Sequence, residues 1–137
     1  MSKRFGSTWQ NSYVFLAFRA WSSSKSVIQL LAIEQVHAHH IIHRDIKPEN
    51  VFIDTDGHVV LGDFGIAFQF SNDTLPHAYF TRGRVGTPAF SSPEVLLERD
   101  YSFEVDLWAF GVVLYEMLSG RVSGSVSFLY SFTQLNV

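Results

Sequence analysis

The chain has 137 residues, of which 47% are hydrophobic and 17% charged, and this composition is typical of a globular protein rather than a disordered one. Its net charge of −3 gives no basic footprint for nucleic acid, so we expect no nucleic-acid partner. The sequence contains no cysteine, which excludes disulfides and thiolate metal sites and fits a reducing compartment. We therefore expect an intracellular protein, cytoplasmic or nuclear.

Membrane insertion and secretion are not indicated. No apolar run reaches the about 18 residues of a membrane span, and the longest run, Leu107–Leu118, is typical of a buried core helix. Lys3 and Arg4 precede an apolar stretch at Tyr13–Phe18, as in a signal peptide, but the stretch is short and Arg19 interrupts it. We therefore predict neither a signal peptide nor a membrane span.

The first helix is predicted from Val27 onwards. Residues 1–24 have no clear period, although the apolar stretch within them could form a strand. Apolar residues then recur three and four positions apart, which favours a helix. These residues are Val27, Ile28, Leu30, Leu31, Ile33 and Val36. Ser24 or Ser26 is a candidate N-cap, and the helix should end near the "HAHH" run at residues 37–40.

The period then changes to that of short strands. Ile41–Ile42 predicts a strand that leads into the polar loop "HRDIKPEN", His43–Asn50. Val51–Ile53 and His58–Leu61 are also strand-like, and the turn signal Asp54–Gly57 between them predicts a hairpin.

The remaining predicted elements are helical. Gly65–Ser92 is rich in turn residues and predicts no regular element. Pro93 suits the first turn of a short helix, and a longer helix is predicted over Phe103–Leu118, with Gly120 ending it. Five of its apolar residues are predicted to be core: Trp108, Phe110, Val112, Val113 and Leu114.

Four motifs resemble one known family. They are "HRDIKPEN", "DFG" (Asp63–Gly65), "GTPAFSSPE" (Gly86–Glu94) and "DLWAFGVVLYEMLSG" (Asp106–Gly120). One such motif alone is weak, but these four stand in the order and at spacings typical of the catalytic half of eukaryotic protein kinases. The resemblance covers roughly Val27 to Gly120 and is of the serine/threonine type.

The resemblance implies roles for individual residues. Asp45 is expected to accept or orient the proton of the substrate hydroxyl, and Lys47 to contact the transferred phosphate. Asn50 and Asp63 are expected to hold Mg²⁺ that bridges the phosphates of ATP. Phe52 stands where the family usually has Leu as the floor under adenine, so its bulk is expected to narrow that pocket.

Two structural roles follow from the same resemblance. His43 is expected to pack on Phe64 of "DFG" rather than act as a base. Asp106 is expected to cap the backbone of the polar loop from the long helix. Two departures from the family pattern are mild: Ser92 replaces Ala before "PE", and Phe90 stands where Tyr is common.

Two plainer interpretations exist for the charged loop and the His-rich run. Asp45 beside Arg44 and Lys47 could form a surface salt-bridge cluster worth about 0–1 kcal/mol. The "HAHH" run could form a metal site, but no fourth-ligand pattern supports it, and histidines at a helix C-terminus suit the helix dipole. Beside the other three motifs, both interpretations are disfavoured.

Specificity and regulation are also implied. Lys47, together with Gly86 and Thr87 before "PE", is similar to serine/threonine kinases rather than tyrosine kinases. Arg44 before the Asp suggests control by phosphorylation of the activation loop, since it can pair with a phosphate. The candidate sites there are Ser71, Thr74 and Thr81, with Thr81 favoured.

The expected fold is α+β and mostly helical, an incomplete large (C-terminal) lobe of a protein-kinase-like fold with the small lobe absent. No glycine-rich loop, strand Lys or helix Glu of the family is found before Val27. We expect an atypical segment at 1–24, a partial protein kinase domain at 25–121, and an aberrant C-terminal tail at 122–137.

The expected function is that of a serine/threonine protein kinase, which transfers phosphate from ATP to hydroxyls of a protein substrate with Mg²⁺. As a fragment, this chain is expected to be impaired. The alternative is a catalytically inactive kinase-like fragment that acts only as a binding module.

Overall fold

Helices and short strands alternate through the part of the chain that the computed structural model describes, residues 3–4, 23–56 and 59–119. The strands are β1 (Lys3–Arg4), β2 (Ile41–Ile42), β3 (Val51–Ile53), β4 (Val59–Leu61) and β5 (Phe68–Gln69). The α-helices are α1 (Ser23–Ala38), α2 (Pro93–Leu96) and α3 (Glu104–Ser119). Two 3₁₀ turns, at Pro48–Asn50 and Pro76–Ala78, complete the described elements.

The strands form two small antiparallel sheets. β3 pairs with β4 as the predicted hairpin, with Val51 opposite Leu61, and β1 adds to the other edge of β3. The predicted strand β2 pairs with β5, with Ile42 opposite Phe68. The pattern of the sequence predicted neither β1 nor β5, because a strand of two residues is defined by its partner rather than by its own period.

The predicted helices are confirmed, with one shift at an N-terminus. α1 begins at Ser23 rather than near Val27, so the candidate caps Ser24 and Ser26 lie within its first turn. It ends at Ala38, immediately before the His39–His40 turn, as expected. α3 matches its prediction to within one residue at either end, and Pro93 is the first residue of α2.

Two buried clusters hold these elements together. The first joins α1, the β3–β4 hairpin and α3, and consists of Ile33, Ile46, Val51, Val59, Leu61, Ala109, Phe110 and Val113. The second joins β2, the segment after β5, α2 and the start of α3, and consists of Ile42, Phe70, Val95, Tyr101 and Val105. Ile46 and Ile42 anchor the two sides of the polar loop, so the loop is fixed between the clusters.

The prediction that Trp108 is core is wrong. Phe110 and Val113 are buried as predicted, and Val112 and Leu114 are partly buried. Trp108 is 36% exposed and shares an outer face of α3 with Tyr115, seven residues later, which is 48% exposed. A helix that packs on one side has such a face, and the apolar character of Trp108 alone could not show on which side it lies.

Several predictions fall outside the described residues. Among them are the possible strand near Tyr13–Phe18, residues 57–58 at the end of the predicted turn and the start of the strand that follows it, and the tail at 122–137. Within the described ranges, none of the helices is both long enough and apolar enough to cross a bilayer.

Candidate active site

The polar loop His43–Asn50 connects β2 to β3 and ends in the first 3₁₀ turn. Pro48 opens that turn, where its fixed φ suits the first helical position, and the Asn50 N–H donates to the Lys47 carbonyl at 3.0 Å. Arg44 has a φ of 66°, a left-handed conformation that is uncommon for a residue with a side chain. The loop is therefore strained at Arg44 and must be held by its surroundings.

Asp106 of α3 holds this strained loop. Its side chain is only 1% exposed, and its two oxygens accept the backbone N–H groups of His43 at 2.8 Å and Arg44 at 2.9 Å. The expected cap is confirmed. His37 at the end of α1 also bonds Asp106 through Nε2, at 2.8 Å, a contact that the "HAHH" run did not predict. The carboxylate thus joins both long helices to the loop.

His43 is a structural residue, as expected. It is fully buried, and its ring packs on Phe64 with centroids 4.8 Å apart. Its Nδ1 accepts the Asp45 N–H at 3.3 Å, and its Nε2 lies 3.1 Å from the Gly62 carbonyl. These partners require the tautomer with its proton on Nε2. Because both ring nitrogens are occupied by backbone groups, His43 orients the loop instead of moving protons.

Asp45 lies at the centre of a hydrogen-bond network. Lys47 Nζ donates to its Oδ2 at 2.7 Å, and Asn50 Nδ2 donates to the same oxygen at 3.1 Å. Thr87 donates to Oδ1 twice, from its backbone N at 3.0 Å and from Oγ1 at 2.7 Å. Lys47 Nζ also reaches Thr87 Oγ1 at 3.0 Å. Residues from two separate motifs therefore fix one carboxylate.

This geometry argues against the surface salt-bridge interpretation. The side chain of Asp45 is 11% exposed and that of Lys47 is 22% exposed, whereas a plain surface pair leaves both groups largely in water. Four donor atoms from three residues hold the Asp45 carboxylate, which gives it a single orientation. Each oxygen accepts two of these donors, which fills the about four acceptor sites of a carboxylate, so a hydroxyl of a second molecule would bind in place of one of them.

The electrostatics keep Asp45 ionised. Burial by itself raises the pKa of Asp45, but hydrogen bonds from Lys47, Thr87 and Asn50 and the charge of Lys47 together lower it, so that the pKa lies below the ordinary value of 3.8. At neutral pH the carboxylate is therefore charged, and all its neighbours donate to the charged form. A carboxylate of low pKa is a weak base, so it orients a hydroxyl before it takes the proton.

Asp63 approaches Asn50 through the β3–β4 pairing. Gly62 donates its N–H to the Asn50 carbonyl at 3.0 Å. Asp63 is therefore the residue that directly follows the one bonded to Asn50. Asp63 has a φ of 61° and accepts the Gly65 N–H at 3.3 Å. Its carboxylate is exposed at the mouth of the loop. The two predicted metal-binding residues thus lie on neighbouring chain segments.

This donor set fits Mg²⁺. The Asn50 amide nitrogen donates to the backbone carbonyl of Asp45 at 2.9 Å and to its carboxylate. The amide oxygen is therefore not the atom that bonds Asp45. An amide oxygen and the Asp63 carboxylate are hard oxygen ligands. Mg²⁺ is usually bound by one or two carboxylates plus phosphates and water. Among the described residues, no cluster of three or more His, Cys, Asp or Glu forms an all-protein metal cage.

Phe52 is accommodated by a glycine. It lies on β3 and is partly buried, and its ring covers Gly62. A Cβ added to Gly62 would lie 3.0 Å from Phe52 Cδ2 and 2.6 Å from Cε2, and the shorter distance is one that real Cβ atoms essentially never show. The ring therefore occupies the space that a side chain at position 62 would need. Phe52 and Gly62 form a matched pair next to Asp63.

Replacing Gly62 with Ala is expected to destabilise the chain by about 1–3 kcal/mol, because the new methyl group forces the Phe52 ring out of place. The double variant Phe52→Leu/Gly62→Ala is expected to recover about 1 kcal/mol or more of this loss, because substitutions at residues in contact have non-additive effects on stability. Urea unfolding of the two single variants and the double variant measures the coupling. Additive losses would show that the ring does not depend on Gly62.

Thr87 is the site residue that the sequence did not identify as such. Its position in "GTPAFSSPE" was interpreted as a marker of specificity, yet its backbone and side chain both bond Asp45. The Ser91 hydroxyl in turn donates to the Thr87 carbonyl at 3.0 Å. Gly86 has a φ of 90°, and a Cβ there would overlap the Arg44 carbonyl oxygen. The "GT" pair at the start of this motif was the available signal.

Comparison with known families gives a match over most of the chain. The family model described as "Protein kinase domain" matches residues 16–126 of this chain. This range includes the polar loop, the Asp45 network, Asp63 and α3.

Individual relatives match the same region. Human rhodopsin kinase GRK1 is 42% identical over 92 residues, which are 67% of this chain and 16% of the relative. RAC-beta serine/threonine-protein kinase B of Xenopus laevis is 43% identical over 91 residues, 66% of this chain and 18% of the relative. Serine/threonine-protein kinase AtPK1/AtPK6 of Arabidopsis thaliana is 40% identical over 90 residues, which are 66% of this chain and 18% of the relative. The chain thus spans less than a fifth of the length of these curated relatives.

Proposed function

The chain belongs to the protein kinase family, and from that premise we propose that it transfers the terminal phosphoryl group of ATP to a hydroxyl of a protein substrate. The observation that carries this proposal is the Asp45 network: an ionised carboxylate held by Lys47, Asn50 and Thr87. Phosphoryl transfer depends on positioning and charge stabilisation more than on covalent help from the protein. A single fixed carboxylate beside two metal-binding residues supplies the positioning.

In this proposal Asp45 orients the attacking hydroxyl and receives its proton as the phosphate is transferred. Its low pKa suits a group that must stay ionised until the transfer is well advanced, because the hydroxyl becomes strongly acidic only late in the reaction. Thr87 and Asn50 keep the carboxylate from rotating towards another donor. The proton thus moves from the substrate oxygen to one oxygen of Asp45.

Lys47 has a donor left for the phosphate. A lysine ammonium carries three N–H groups, of which one bonds Asp45 and one bonds Thr87. The third can bond an oxygen of the transferred phosphoryl group. Lys47 would then hold the phosphate and the carboxylate close together, which is the alignment that an in-line transfer requires.

Asn50 and Asp63 are the residues that would hold Mg²⁺. When bound, the metal supplies positive charge to the phosphate oxygens of ATP. The hydrogen bonds from Asn50 to Asp45 and from Gly62 to Asn50 orient the amide and the strand that leads to Asp63. Phe52 is the proposed contact to the adenine base, with Gly62 setting the position of its ring.

A serine or threonine hydroxyl is the proposed acceptor. Two of the compared relatives are named as serine/threonine-protein kinases, and the Lys47–Thr87 contact joins the two sequence features that indicated this type. We also propose that the described elements correspond to the part of the large lobe from the catalytic loop to its long central helix. The expected boundaries at 25–121 stay a prediction.

The test is an assay of the 137-residue chain with radiolabelled ATP, Mg²⁺ and a mixed protein acceptor such as myelin basic protein or histone. The expected result is label on serine or threonine of the acceptor, lost when Mg²⁺ is chelated. Asp73→Asn, an exposed substitution outside the site, should label the acceptor at the same rate. Acceptor that stays unlabelled with the folded chain would overturn the proposal and favour the inactive binding module.

A further inference from the structure

Arg44 has partners that the resemblance did not predict. Its Nε donates to the Ile66 carbonyl at 2.7 Å, and one terminal nitrogen donates to the Tyr101 hydroxyl at 3.3 Å. Its guanidinium lies over the Phe68 ring, 5.3 Å from the centroid. Two of the five N–H donors of Arg44 are thus bound by neutral groups of the chain.

Tyr101 links Arg44 to the segment that follows β5. Tyr101 is fully buried, and its hydroxyl donates to the Gly83 carbonyl at 3.1 Å while it accepts from Arg44. Its backbone also pairs with Thr81 in both directions, each bond 2.9 Å long. We call the contacts from Arg44 through the Tyr101 hydroxyl to Gly83 the Tyr101 bridge.

The bridge secures one end of a short segment whose other end reaches the site. Residues 81–83 are tied to Tyr101, and four residues further on Thr87 bonds Asp45. Between them, Gly86 lies against the Arg44 carbonyl so closely that a Cβ would not fit. The position of the Thr87 hydroxyl therefore depends on how the preceding residues are anchored.

We propose that the Tyr101 hydroxyl is a positioning group that holds residues 81–87 against the catalytic loop. The bridge uses one terminal nitrogen of Arg44 and both hydrogen-bonding functions of the Tyr101 hydroxyl, which donates to Gly83 and accepts from Arg44. The nearby Arg82–Asp100 ion pair cannot replace it, because both side chains are more than half exposed and such pairs contribute little. The effect on catalysis rests on the proposed function, whereas the ordering does not.

The test compares amide hydrogen exchange in the phosphatase-treated 137-residue chain and in its variants. Tyr101→Phe removes only the hydroxyl and is expected to speed exchange over residues 81–87 by about three- to tenfold, the range that corresponds to one hydrogen bond. Gly83→Ala is the second variant: its Cβ meets nothing within 4 Å, but its φ of 130° strains any side chain, so it disturbs the bridge from the other end. The same amides should respond.

Two comparisons keep the result specific. Tyr79→Phe removes a hydroxyl from a ring that packs on Phe70 and Phe103 nearby but lies outside the bridge, and should leave residues 81–87 unchanged. Amides of α3 serve as an internal reference. A uniform rise in exchange that includes α3 would overturn the proposal, because Tyr101 would then be a general packing residue.

The other outcomes are equally decisive. Equal exchange at 81–87 in the parent chain and both bridge variants would overturn the proposal, as would a segment that gains protection only after phosphorylation. If the parent chain is active, Tyr101→Phe should lower kcat and leave KM for ATP unchanged, since the bridge touches neither Asn50 nor Asp63. An inactive chain with the expected exchange pattern would reject the proposed function and support the bridge.

Discussion

Replacing Asp45 with Asn is expected to lower kcat for phosphoryl transfer by about 10²- to 10⁴-fold, the usual contribution of a positioned acid–base group. The Asn side chain has nearly the same shape but cannot take the proton of the substrate hydroxyl. Its amide N–H groups would also lie against other hydrogen-bond donors. Lys47, Asn50 and Thr87 all donate to Asp45 in the native chain. Initial rates with radiolabelled ATP and a protein acceptor measure the loss.

The control for this variant must separate chemistry from folding. Asp73→Asn makes the same chemical change at an exposed position and should retain the parent rate. Thermal unfolding should show that Asp45→Asn is still folded at the assay temperature. A rate within a few-fold of the parent would exclude Asp45 from the proposed role.

The same substitution bears on pH dependence. Because the pKa of Asp45 is lowered in the folded chain, its ionisation contributes stability that is fully present above the ordinary pKa of 3.8. That contribution is lost as the pH falls through the lower folded pKa. Melting temperatures measured from neutral pH down to about pH 3 should therefore fall less steeply for Asp45→Asn than for the parent chain at the acid end.

The largest effect on stability is expected from Asp106→Ala, with a loss of about 3–5 kcal/mol, because several buried groups lose their hydrogen-bond acceptor at about 1–3 kcal/mol each. The substitution leaves the N–H groups of His43 and Arg44 without acceptors inside the protein and removes the partner of His37. Arg44 is held in a left-handed conformation, which would then be less well supported by the surrounding structure. A whole domain has a margin of only about 5–15 kcal/mol.

Two further variants make this expectation specific, with urea unfolding as the measurement. Asp106→Asn keeps one acceptor oxygen and should lose less than Asp106→Ala. Asp100→Ala breaks an ion pair whose side chains are 65% and 62% exposed and should cost less than about 1 kcal/mol. Equal losses in Asp106→Ala and Asp100→Ala would show that Asp106 does not hold the loop.

Local patterns predicted the elements well because their causes are local. The β3–β4 hairpin, the end of α1 at the His-rich turn and the start of α2 at Pro93 all follow from period and turn chemistry. The resemblance added two contacts that the structure confirms, the ring of His43 on Phe64 and the cap from Asp106. Trp108 was misplaced, because an apolar residue on a helix does not reveal which face is covered.

The sequence by itself determined the family and the residue types of the site: four ordered motifs are a local code that needs no tertiary contact to be recognised. Only the tertiary structure decided how those residues act together. Thr87 reaches Asp45 from 42 positions away, Asp106 reaches the loop from more than 60, and Tyr101 joins Arg44 to Gly83. Each of these contacts depends on where two distant segments meet, and the packing of β2 and α3 around the buried clusters sets that meeting point.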